Sequence, residues 1–202
     1  MSLGMAKKWD GHGITLGYAY TDANDVQPMT SSVAFSNYVN RAFNDPQEQV
    51  SSRSDYNIEH RVTASYSFEK EFLADYASKA FVFFQNSSGV PYSRTVSGNS
   101  AFNYTPYLEG NNVLVPGTLR NEFTGPSWTK VDVKFTQELP GLRDGDTSSV
   151  FLVIDNITNM FNDEWGVLEQ PSFPRGLLEG QDFTTVNDAS AYEVRVGFDY
   201  DF

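Results

Sequence analysis

The chain has 202 residues, no cysteine and two histidines, and 26 acidic against 14 basic residues give a formal net charge of −12. This composition excludes a disulfide framework, a thiolate metal site, a Cys nucleophile and a His-rich metal centre, and its acidity argues against sequence-independent attraction to nucleic-acid phosphates. No run of about 18 apolar residues is present, so there is no transmembrane helix, but strands of roughly 9 to 11 half-polar residues cross membranes without such a run.

The first residues, Met1 to Lys8, carry no apolar stretch behind their lysines, so no secretory signal is expected within them. Residues 1–8 read as a leader or as the turn before the first strand, and 9–202 as one strand-rich unit. In GHGITLGYAYTDAN, Ile14, Leu16, Tyr18 and Tyr20 share a face opposed by Thr15, Gly17, Ala19 and Thr21. Such alternation with a period of two predicts a half-buried strand. A second strand follows in YNIEHRVTASYSF, where Ile58, Val62, Ala64, Tyr66 and Phe68 oppose Arg61, Thr63, Ser65 and Ser67. Residues 78–87 make a third, apolar on both faces around Phe81 to Phe84. In WTKVDVKFTQEL, Val131, Val133 and Phe135 oppose Lys130, Asp132 and Lys134. A fifth strand is expected from Ser148 to Phe161, with no clear register because both faces are apolar around Phe151 to Ile154. The sixth, AYEVRVGFDYDF, sets Tyr192, Val194, Val196, Phe198, Tyr200 and Phe202 against Glu193, Arg195, Gly197, Asp199 and Asp201. No helical periodicity of similar strength appears, so the fold class is all-β.

Three connections are long and polar, near 23–55, 87–126 and 162–190, and they alternate with the short links EKEFLADYA and PGLRDGDT. Structureless loops beyond roughly 12 to 15 residues are uncommon unless they serve a function. Antiparallel strands reverse at each connection, so the long loops gather at one end of the sheet and the short turns at the other. Outer-membrane barrels have this asymmetry, with short periplasmic turns and long extracellular loops. On that map Tyr18, Tyr20 and Tyr192 fall at the outer interface, and Tyr66, Phe68, Phe198, Tyr200 and Phe202 at the periplasmic one, as two aromatic girdles would. The expected architecture is an antiparallel up-and-down transmembrane β-barrel fragment of about six strands, because six strands fall short of the eight of the smallest common membrane barrels.

Several segments also resemble those of TonB-dependent outer-membrane receptors, particularly the Oar-like group. SVFLVIDNITNMFND resembles their penultimate strand running into an Asp-Asn-x-x-Asn signature, here Asp155, Asn156 and Asn159. IEHRVTASYSF is similar to their His-Arg-Val strand start, with His60 and Arg61. NSSGVPYSRT, with Gly89 and Pro91, is similar to their Ser-Gly-x-Pro-Tyr stretch, and the aromatic terminus resembles the outer-membrane assembly signal. The resemblance implies the C-terminal portion of a barrel of about 22 strands with a plugged lumen, in the outer membrane of a Gram-negative cell. It further implies that the plug and the segment contacting TonB lie outside this chain, and that a siderophore, carbohydrate or peptide is imported. The implied partners are outer-membrane lipid, the assembly machinery and the rest of the barrel and plug, with TonB reached only through the absent N-terminal part. No cofactor or metal is implied.

Tyr200 and Phe202 are the candidate assembly signal, against the plainer reading that they only pack on lipid or a neighbouring strand. Tyr38, Tyr104, Tyr107 and Trp165 are loop aromatics able to stack on a sugar or siderophore ring, or to hold the loops together. Asp155, Asn156 and Asn159 carry hard oxygen ligands, but such side chains more often hydrogen-bond their own backbone where a strand exits the sheet. His60, Arg61, Gly89 and Pro91 read as structural. Asp22 with Asp25 and Asp144 with Asp146 sit in turn-like segments, and no phosphate loop, serine elbow or zinc motif is present, so no enzyme is expected. The alternative is a soluble secreted β-sandwich that binds carbohydrate or protein at its loop-rich end.

Overall fold

The computed structural model describes residues 1–45, 47–73, 75–96, 113–143, 145–173, 176–178 and 180–202. Seven long strands form one antiparallel sheet in strict chain order: β1 (Ser2–Trp9), β2 (His12–Tyr20), β3 (His60–Leu73), β4 (Tyr76–Ser87), β5 (Trp128–Pro140), β6 (Thr147–Asp155) and β7 (Glu193–Asp201). Each strand pairs with its neighbours in sequence, and the sheet ends at β1 on one side and β7 on the other. Three long connections, loop 1 (21–59), loop 2 (88–127) and loop 3 (156–192), emerge at one end, and the short turns and the last residues lie at the other.

Two expectations are corrected. Most of residues 1–8, expected as leader or turn, belongs with Trp9 to an edge strand, Ser2–Trp9, that pairs with β2 over its whole length, from Ser2 opposite Ala19 to Trp9 opposite His12. The hairpin is closed by Asp10 and Gly11 with φ of 33° and 77°, left-handed at both central positions as a two-residue turn between twisted strands requires. The fifth predicted strand stops at Asp155. Asn156 is left-handed (φ 53°, ψ 52°), and residues Ile157–Phe161 turn into a short helix.

The register sorts the side chains into two opposite faces. Across the sheet, Met5, Leu16, Ala64, Phe84 and Val131 align, and beside them Val82, Val133, Ile154 and Val194. The same parity puts Leu3, Ile14, Val62, Phe135, Val150, Leu152, Val196 and Phe198 on this apolar face. None of its apolar side chains is buried, and Val196 is 73% and Phe198 61% exposed. The other face is polar and cross-linked. Lys79 bonds Glu138 at 2.6 Å and Glu69 at 3.4 Å, Lys130 bonds Asp132 at 3.1 Å, and Arg195 bonds Asp155 and Glu193.

The ambiguous β6 resolves on this pattern. Leu152 and Ile154 point to the apolar face and Phe151 and Val153 to the polar one. Phe151 finds cover there because Gly197 lies opposite it: a Cβ at that glycine would stand 2.1 Å from the ring's Cζ. Lys134 closes over the ring at 5.3 Å. Likewise β4 divides its phenylalanines, Phe84 to the apolar face and Phe81 and Phe83 to the polar one.

Buried side chains are concentrated in the long loops rather than on the sheet. Ala42, Phe43, Tyr92 and Leu114 supply most of the buried apolar residues, and Arg41, Ser54, Asp55, Asn57, Ser93, Thr95, Arg120, Asn121, Asn156 and Ser190 are buried polar ones. The long loops carry their own short strands, among them Asn24–Asp25 paired with Ser52–Arg53, and Pro91–Val96 paired with Val113–Leu114, Phe123–Thr124 and Gly176–Leu178.

Candidate functional site

At the loop end, distant parts of the chain converge on a buried polar centre. Arg120, 6% exposed, donates from Nη2 to the Asp25 carboxylate at 2.5 Å and to the Asp25 carbonyl at 2.7 Å, and its Nη1 lies 3.6 Å from Asp55. Next to it Asn121, left-handed at φ 57°, donates from Nδ2 to Asp55 at 2.5 Å and to the Arg53 carbonyl at 2.9 Å. Its backbone N–H donates to Ser93 Oγ at 2.8 Å. Asn tolerates the left-handed region better than most residues, and here that conformation sets backbone and side chain to work in one network. The result ties loop 1 to loop 2. A short parallel bridge of Phe43 with Val113, an N–H from Leu114 to the Phe43 carbonyl and an Arg53 bond to Thr124 Oγ1 at 2.7 Å reinforce the seam.

Loop 3 joins through Gly176–Leu178, which add in parallel to Ser93–Thr95, and through Phe183, edge-on to Tyr92 at 5.2 Å. Gly89 permits a close approach in the same layer, since a Cβ there would meet the Gly125 carbonyl oxygen at 2.1 Å. Pro91 is fully buried opposite Thr124. A recess of about 110 Å³ between loops 1 and 2 is lined by Arg41, Ser52, Glu48, Leu114, Leu119 and Arg120. Its mixed charges suit a small polar group. No cluster of three or more His, Asp or Glu side chains placed to hold a metal occurs among the described residues.

Asn156 is fully buried and works as the hinge where β6 leaves the sheet. Its N–H donates to Asp132 at 2.8 Å, its Nδ2 to the carbonyls of Ser190 at 2.6 Å and Gly166 at 3.1 Å, and its Oδ1 accepts from Thr158 at 2.9 Å. Asn159 Nδ2 donates to the carbonyls of Asp163 at 3.1 Å and Trp165 at 2.9 Å. Asp155 pairs with Arg195. All three motif residues are thus occupied with the chain itself.

His60 and Arg61 separate. His60 lies on the apolar face, where Nδ1 is 2.9 Å from the Tyr18 hydroxyl and the ring is 5.4 Å from that of Tyr20, forming an aromatic group at the loop end. Arg61 lies on the polar face opposite Ser87. Tyr200 is at the opposite end, its hydroxyl donating to Asp146 and accepting from Leu142 N–H at 3.1 Å. Phe198, Tyr200 and Phe202 follow one another at 6.4 Å ring spacing, with Phe202 fully exposed.

Of the loop aromatics, Tyr38 is 39% and Trp165 56% exposed. Tyr104 and Tyr107 lie outside the described residues. The buried centre built on Arg120, Asp25, Asp55, Asn121 and Ser93 had no sequence signal, because its partners stand 28 to 95 residues apart. Comparisons with protein families, with characterised proteins and with solved structures found no match.

Proposed function

We propose that this chain forms part of the wall and outer loops of a TonB-dependent outer-membrane receptor. In this reading the apolar face meets lipid, the ion-paired face lines the lumen, and further strands continue the sheet from its two free edges into a closed barrel. The observation that carries it is the seven-strand meander with a single uncovered apolar face and all three long loops at one end. Lipid cannot satisfy free backbone groups at a sheet edge, so such a wall must close. The loop end would take the substrate from outside, the short turns would face the periplasm, and Tyr200 and Phe202 would be presented there to the assembly machinery. Transport would depend on a plug and its TonB contact contributed from outside this chain, and the chain itself would catalyse no reaction.

The sandwich alternative requires the strands to divide between two layers with a shared core. Here the seven long strands run in one continuous sheet, which favours the membrane reading. The deciding experiment is an immunoblot of fractionated Gram-negative cells that express the protein, with samples boiled and unboiled. The expected result is an outer-membrane band larger than 22.6 kDa whose mobility shifts on boiling. A soluble band of the chain's own size would overturn the reading.

A further inference from the structure

The apolar face carries hardly any charge, and what it carries is of one sign. Its strand positions contain no Asp or Glu, and its only lysines or arginines are Lys7 on β1 and Lys70 on β3, although the chain as a whole stands at −12. Both lie towards the short-turn end, Lys7 two residues before β1 finishes at Trp9 and Lys70 three before β3 finishes at Leu73. Neither has a carboxylate partner within ion-pair distance among the described residues. Each is instead set over an aromatic ring, Lys7 5.8 Å from Trp9 and Lys70 5.3 Å from Phe72.

Between the two lysines runs an amphipathic patch rather than a purely apolar one. His12 stacks on Trp9 at 5.5 Å, and its Nδ1 lies 2.7 Å from the Tyr66 hydroxyl; Phe68 and Phe72 continue the surface at 6.0 Å. Rings of this kind settle where acyl chain gives way to headgroup, and a lysine on a short stem of apolar surface extends its ammonium towards the wetter side. At the loop end the corresponding group is built from Tyr18, Tyr20 and His60, with no lysine or arginine at the strand positions of the same face.

We propose that Lys7 and Lys70, flanking the ring patch of Trp9, His12 and Phe72, form a binding site for the phosphate headgroup of anionic phospholipids at the short-turn rim of the apolar face. The inference rests on the membrane reading above and adds to it a lipid class and a side of the bilayer. Lys7 and Lys70 stand two strands and four residues apart in register, so each ammonium meets the phosphate of its own lipid, and the rings between them hold the glycerol and upper acyl region.

The test is spin-labelled lipid association with the intact protein in phosphatidylcholine vesicles, using labelled phosphatidylglycerol and labelled phosphatidylcholine as probes. A lysine near a lipid surface is worth roughly fivefold in preference for an anionic lipid, so phosphatidylglycerol should be favoured by about fivefold or more. The preference should fall towards unity in K7Q/K70Q, persist in K7R/K70R, and persist in K8Q/K134Q, which removes the same charge from the polar face. Equal loss in both glutamine pairs, or no preference in the unaltered protein once inserted, would overturn the site and leave the membrane reading standing. Failure of the unaltered protein to enter bilayers at all would overturn both.

Discussion

The sheet and the loop layer solve opposite problems. The sheet is ordered by backbone pairing and by its two-sided pattern, yet its apolar side chains remain open. The loop layer contributes few apolar side chains and closes around charges: Arg120 between Asp25 and Asp55, and Asn121 against Asp55 and Ser93. The sheet is therefore held by its backbone ladder and leaves an apolar surface open, whereas the loops are held by particular side-chain partners. Substitutions in the two regions should differ in kind as well as size.

The largest effect is expected in the loop layer. Arg120→Ala leaves Asp25 and Asp55 without their shared cation in a site from which water is mostly excluded, and breaking such a buried pair costs about 3 to 5 kcal/mol. Hydrogen exchange should show lost protection at the Asn121 amide while amides in the middle of β3 and β4 keep theirs. Replacing both carboxylates by Asn in the same background should recover part of the loss. If the strands lose protection equally, the two regions are one cooperative unit and the contrast fails.

In the sheet, Leu152→Arg and Val153→Arg separate the two faces one residue apart. If the apolar face meets lipid near the bilayer centre, the first costs about 2 to 4 kcal/mol in denaturant unfolding from bilayers. The second enters the polar face and should cost much less. Equal costs would mean that the apolar face is not the lipid-facing one.

A third, smaller effect is expected at the point where the polar face stores an aromatic ring. Gly197→Val forces Phe151 from its place across the glycine, an overpacking change of about 1 to 3 kcal/mol, towards the lower end because β7 is an edge strand. Phe151→Ala combined with Gly197→Val should lose less than the sum of the two, as residues in direct contact do. Strict additivity in thermal unfolding would sink this account of the β6 register.

How far these features were legible follows from the range over which each is encoded. The long strands and their faces are local, since side chains alternate within a single segment, and Ile14 to Tyr20 or Val131 to Phe135 declare themselves without their neighbours. The sorting of long and short connections follows from strand order alone. β1 carries little local signal because Leu3, Met5, Lys7 and Trp9 alternate with glycine, alanine and lysine, too weak a contrast by itself, and its pairing is fixed by the Asp10-Gly11 turn. β6 had no register because Phe151 is apolar on the polar side, which makes sense only once Gly197, 46 positions later, is known to lie beneath it. The Arg120 centre is encoded in pairs from separate loops, and neither spacing nor composition can signal such a meeting. The Asp155, Asn156 and Asn159 motif was seen, and hydrogen bonding to the chain's own backbone was the favoured reading for it, but its distant partners at Asp132 and Ser190 were not.

The smallest effect asks whether the polar face is wet. Arg195 is about half exposed on the edge strand and bonds Asp155 and, at 3.6 Å, Glu193. An ion pair in water contributes about 0 to 1 kcal/mol and is weakened by salt. Arg195→Gln should therefore change unfolding free energy by less than about 1 kcal/mol, and the difference should shrink between low salt and 1 M salt. Asp132 and Asp155 both flank the β6 exit, with Asp132 accepting from the Asn156 N–H, so any residual cost should appear first as faster exchange of that amide. A cost of several kcal/mol that ignores salt would mean that this part of the face is covered and dry. The charges along it would then be interface contacts in the assembled protein, and the contrast between a charge-burying loop layer and a solvated polar wall would have to be redrawn.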